Sequence, residues 1–95
     1  MRPDQPNGKQ DSVEDAMTLA LMALGWTLAE ESRADRLLAL TGIDVKTLRA
    51  GVGDPAIMAA ILAFLANHEP DLIACAQAID TSPAALIAAQ EILSR

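Results

Sequence analysis

The chain has 95 residues, a formal net charge of −6 and 52% hydrophobic residues, with Trp26 and Phe64 as its only aromatics. That length predicts one domain. A sheet protein of this size would carry more Tyr, Phe, Val and Thr, so the alanine-rich composition predicts helices instead. The acidity argues against non-specific binding to nucleic acid or to anionic membrane. A single cysteine, Cys75, excludes an internal disulfide.

Residues 1–11 are polar and interrupted by Pro3, Pro6 and Gly8, which predicts a disordered tail; residues 12–95 then form a single helical domain. Ser12 and Asp15 have the spacing of a capping box. Behind them Val13, Met17, Ala20, Leu21, Leu24 and Leu28 follow helical spacing, with Leu19, Ala23 and Trp26 widening the stripe. The first helix is expected from Val13 to Glu30, and Gly25 within it is read as a site of close helix–helix contact. A second helix is expected over Arg33 to Leu40, with Leu37 and Leu40 inward and Gly42 as a left-handed cap. Asp44 should cap a third over Val45 to Ala50, with Val45 and Leu48 inward and Gly51 and Gly53 ending it.

Asp54-Pro55 is a helix start, an N-cap followed by a first-turn proline. The helix it opens, through about Asn67, has no charge before His68, and so should be the buried, central one. Pro70 and Pro83 mark two more starts: a fifth helix with Leu72, Ile73, Ala76 and Ile79, and a sixth with Leu86, Ile87, Ala89 and Leu93. The predicted fold is all-α, a compact bundle of five to six short helices. Two turns echo one another, Thr41-Gly42-Ile43-Asp44 and Ala78-Ile79-Asp80-Thr81, each with an isoleucine for the core and a polar group to cap the next helix. Nothing in the first twelve residues resembles a signal peptide, and the longest uncharged apolar stretch, Pro55 to Ala66, is shorter than the roughly 18 residues of a membrane span. The expected compartment is the cytoplasm.

Residues suited to catalysis are sparse. His68 is the only histidine and is read as closing the fourth helix, where its charge suits the dipole. Cys75, between two alanines, is read as a small core residue. One His and one Cys cannot complete a structural zinc site, and no calcium-loop spacing occurs. Gly51-Val52-Gly53 lacks the lysine and preceding strand of a phosphate loop. No cofactor or metal is expected, nor an enzyme. Two surfaces are candidates for binding. Met22 and Trp26 are read either as core packing or as an exposed anchor for a protein partner or a second copy of the chain. Arg33, Arg36, Lys46 and Arg49 cluster in a helix–turn–helix window, which makes a nucleic-acid reader the alternative; Asp35, Asp44 and the short second helix weigh against it.

Several segments carry a family resemblance: Leu37-Leu38-Ala39-Leu40-Thr41-Gly42-Ile43, Leu48-Arg49-Ala50, Asp54-Pro55-Ala56 and His68-Glu69-Pro70-Asp71-Leu72. In their order and spacing, from about Ala16 to Leu93, the chain resembles a small bacterial family known as a domain of unknown function, number three-five-seven-two. Ile57 stands where its members tend to place an aromatic. The resemblance implies a cytosolic all-helical protein of alphaproteobacterium-like origin. It implies no activity and no functional residues. The function expected from the sequence is a non-enzymatic protein–protein interaction or regulatory module.

Overall fold

The punctuation seen in the sequence accounts for most of the helix boundaries. In a computed structural model that describes residues 8–95, with side chains from Ser12 onward, six helices follow in order: α1 Gly8–Leu28, α2 Glu31–Thr41, α3 Val45–Ala50, α4 Pro55–Ala66, α5 Glu69–Ala78 and α6 Pro83–Leu93. Asp44 accepts from the Thr47 N–H at 2.7 Å, Asp54 from the Ala56 N–H at 2.9 Å, and Ser82 from the Ala85 N–H at 3.0 Å, satisfying donors that a helix start otherwise leaves unpaired. The Thr47 N–H and hydroxyl also hold the Asp44 carboxyl below the ordinary aspartate range. Pro55, Pro70 and Pro83 all stand in first turns.

The two echoed turns share a left-handed residue two places before the cap of the next helix. Gly42 has φ 72° and its N–H returns to the Leu38 carbonyl. Asp80 has φ 62°, and the Thr81 N–H reaches back to the Ala76 carbonyl at 2.8 Å, closing a Schellman motif. Ile43 and Ile79 both pack against the core from these turns. The cap of the second turn is Ser82, not its aspartate.

α1 differs most from expectation. It starts at Gly8, so the Ser12–Asp15 pair lies inside a helix and caps nothing; of the predicted tail, residues 1–7 lie outside the described residues. Once a turn exists, each further residue adds a hydrogen bond at little cost, and Lys9 and Gln10 are good helix formers. The buried face is also different. Ala16, Ala20, Ala23, Leu24 and Thr27 point inward, while Val13, Leu21 and Leu28 are exposed. α1 packs most extensively on α6, and small side chains let two helices approach closely. Thr27 is fully buried but satisfied, its hydroxyl donating to the Ala23 carbonyl at 2.9 Å.

α4 is the central helix, as its uniform apolarity predicts: Met58, Ala59, Ile61, Leu62, Phe64 and Leu65 are buried, and it packs on α1, α2, α5 and α6. It bends by 113° into α5, and among the described residues no single helix is long and apolar enough to cross a membrane. Two further expected core positions are corrected: Leu40 is 71% exposed and Val45 53% exposed. Ile73 of α5 and Ile87 of α6 also face outward. In α2 the reason is rotational: Leu37 and Thr41 share the buried direction, and the Thr41 hydroxyl donates to the Leu37 carbonyl. Leu40 lies nearer the direction of Arg36, one turn before it.

Gly25 makes no close contact; a Cβ built there meets nothing within 4 Å. Gly25→Ala should therefore stabilise the domain by about 0.5–1 kcal/mol, the helix-propensity difference, raising the midpoint of a urea or thermal transition. A loss of stability would show that the helix is not continuous through this position.

Candidate functional site

A groove of about 510 Å³ with polar groups at one end lies between α2 and α4. α4 supplies the floor through Ala60, Ala63 and Phe64, which fall on one face because they are spaced three and four apart. α2 supplies the wall through Leu40 and Thr41. At the joint between α4 and α5, Asn67 and His68 close one end together with Arg36.

An ion pair braces that end. An Arg36 terminal guanidinium nitrogen donates to the Asp71 carboxylate, which is on α5 and only 17% exposed. The same carboxylate oxygen lies 3.9 Å from His68 Nε2. The Arg36 guanidinium carbon is 6.0 Å from the Phe64 ring centroid, at the outer reach of a cation–π contact. Its Nε is buried without a hydrogen-bond partner. His68 is not the end of α4: Asn67 caps that helix, and His68 occupies the N-cap position of α5, with its backbone N–H still returning to the Leu65 carbonyl. The joint thus turns the chain between two helices and leaves the imidazole about half exposed.

The sequence-derived candidates are dispersed. Met22 is exposed, but Trp26 is half-buried beneath Arg33, whose guanidinium carbon is 3.8 Å from the ring centroid. Arg33 Nη2 donates to the Trp26 carbonyl at 2.6 Å and Nη1 to Glu30 at 3.0 Å. The guanidinium therefore lies over the indole and shields it. Of the four basic residues, Arg33 and Arg36 are committed to contacts within the fold, and Lys46 and Arg49 stand exposed on the six-residue α3. They do not make one free patch. The groove itself went unseen in the sequence. Its rim residue Leu40 fits a core stripe, and the Arg36–Asp71 pair joins residues 35 apart with no local signal.

Cys75 is fully buried on α5. Burial pushes its thiol up to about 11, opposed by the Arg33 charge and reinforced by Asp71. The neutral thiol is the form that suits the fold. Its contribution to stability is complete below the ordinary thiol value of about 9 and is lost as pH rises towards about 11. At neutral pH a thiol-alkylating reagent should label Cys75 only as fast as the chain opens, and more rapidly as urea is added. Immediate stoichiometric labelling of the folded protein would contradict this burial. Among the described residues no three His, Cys, Asp or Glu side chains converge as a metal site would require.

These features define a small all-α bundle with a partly apolar surface groove and a donor-lined end. The chain belongs to the family described as protein of unknown function (DUF3572), whose model matches residues 13–95. No curated protein and no solved structure matches it.

Proposed function

We propose that the protein is a non-enzymatic interaction or regulatory module of the bacterial cytoplasm, and that its protein partner docks in the α2–α4 groove. The observation that carries this reading is Leu40, a large aliphatic side chain 71% exposed at the rim of a 510 Å³ groove floored by Phe64. Leaving such a side chain in water forgoes about 1.5–3 kcal/mol that burial would return. Val45, beyond the Gly42 turn, adds exposed apolar surface outside the groove. Support for a non-enzymatic role comes from Cys75, held buried and neutral, and from His68, whose nearest carboxylate is already paired with Arg36. The nucleic-acid alternative keeps only Lys46 and Arg49 as exposed cations of its four.

Leu40→Glu tests the reading. An exposed substitution of this kind should change stability by no more than about 0.5 kcal/mol. The tagged protein, cross-linked in its own cells, should retain its partner as wild type and lose it as Leu40→Glu. A second copy as the occupant would appear in light scattering as a dimer that the substitution converts to monomer. An unchanged set of bound proteins and an unchanged oligomeric state would overturn the groove as the docking site.

A further inference from the structure

Burial is unevenly shared along the chain. From Ala29 to Asp54, a stretch that includes all of α2 and α3, only Leu37, Leu48 and Gly51 are buried, whereas the 12 residues of α4 alone bury six. Leu38 and Ile43 add partial cover. α3 has six residues, too few to stand as a helix without its surroundings. The other helices do not depend on this stretch. α1, α4 and α6 pack on one another more extensively than α2 packs on any helix, and α5 packs on all three.

Polar groups hold α2 down at two points. Arg33 stacks on Trp26 and donates to the carbonyl of that residue, on α1. Arg36 donates to the Asp71 carboxylate, on α5. Among the described residues these are the only hydrogen bonds that join α2 or α3 to α1, α4, α5 or α6. Each guanidinium also keeps one donor unmatched: Arg33 Nε and Arg36 Nε are buried with no acceptor from the protein. Closing therefore makes two attachments and strands two donors, which opening returns to water. A segment with few buried apolar side chains, held mainly by side-chain polar contacts, belongs to the low-stability end of a structure.

We infer that α2 and α3 are a flap that opens as a unit, turning at Ala29-Glu30 and at Val52-Gly53 while α1, α4, α5 and α6 stay packed, with Arg33 and Arg36 as its latches. α2 is one wall of the groove, so opening dismantles the groove. The position of the flap thus regulates whether that surface exists, whatever binds there.

Native-state hydrogen exchange on the full chain, followed by NMR in low urea, tests the flap. Corrected for intrinsic rates, Leu37, Leu38 and Thr41 of α2 and Leu48 of α3 should share one free energy of opening. They should exchange at least about tenfold faster than Ile61, Leu62 and Ala89, which wait for global unfolding. Ala88→Gly is an exposed change in α6 that weakens helix propensity alone. It should speed the α4 and α6 amides about fivefold and leave the flap amides unchanged, because α6 is intact in both the closed and the open state. Arg33→Met and Arg36→Met keep an apolar stem and lose the charge. Each should speed the flap amides about fivefold, and the α4 and α6 amides by the same factor, since the closed state is what they weaken. Flap amides that quicken together with those of α4 and α6 in Ala88→Gly would show one cooperative unit and overturn the flap. Scattered opening free energies among Leu37, Leu38, Thr41 and Leu48 would show local fraying and overturn it as well. Unchanged exchange in both arginine variants would remove the latches.

Discussion

Leu65→Ala is expected to cost about 2–5 kcal/mol, while the same substitution at Leu40 should fall within about 0.5 kcal/mol of wild type. Leu65 has no exposed surface and lies on the face of α4 that packs into the core, so truncation loses apolar burial and leaves a cavity that neighbouring helices cannot fill without shifting. A domain of this size has only about 5–15 kcal/mol of stability to lose. The melting midpoint should fall by roughly 10–40 °C, and urea titration under identical conditions compares the variant with Leu40→Ala. The contrast matters because both leucines look equally suited to a core in the sequence. Equal losses at the two positions would mean that the α2–α4 groove is closed in solution and that Leu40 is buried there.

Gly51→Ala should destabilise the domain by about 1–3 kcal/mol, the range typical of overpacking a filled site. A Cβ at this buried position would lie 2.7 Å from Ile57 Cγ1 and 3.1 Å from both Ile57 Cβ and Cγ2. The conflict reaches Ile57 Cβ, close to the backbone of the first turn of α4, so rotating the side chain does not relieve it. Gly53→Ala, with open space around its Cβ, should be close to neutral. Adding Ile57→Ala should recover part of the Gly51→Ala loss, giving a coupling of roughly 1 kcal/mol in a double-mutant cycle. Strict additivity would show that the clash is relieved by a backbone shift.

These glycines also show how far a sequence could be read. Both interrupt apolar or helical segments, and the sequence assigns a close contact to Gly25 and a terminating role to Gly51. The structure reverses the first assignment: Gly25 faces open space, whereas Gly51 is the residue pressed against a neighbour. Close approach depends on which helix lies opposite, and that partner is distant in the chain or beyond a turn. Leu40 and Val45 fail for a related reason. Their spacing to Leu37 and Leu48 fits an inward stripe, but a short helix with apolar residues over much of its circumference can be rotated by half a turn's width without violating the pattern.

α1 carries the same ambiguity further. Large apolar residues at Val13, Met17, Leu21 and Leu28 outline one stripe, and Ala16, Ala20 and Ala23 with Leu24 outline another beside it. Bulk favours the first by hydrophobic area, but fit against α6 favours the second. Trp26 was legible as a residue of consequence, yet its cover, the Arg33 guanidinium, comes from the next helix. The groove that now serves as the candidate site was not legible at all, because it arises where α2, α4 and the α4–α5 joint meet.

What the sequence by itself determined is the all-helical class, the approximate limits of most of the helices and the central place of α4. Those follow from short-range chemistry: Asp44, Asp54 and Ser82 satisfy the N–H groups of their own helices, prolines can stand only in first turns, Gly42 accepts a positive φ, and α4 has no polar face to turn to water. What only the tertiary structure decided is the rotation of each helix about its axis, and with it which apolar residues stay wet, which arginines are spent inside the fold and where a partner can lie. The physical reason is that capping is settled within a few residues of chain, whereas burial is settled by the shape of whatever packs opposite.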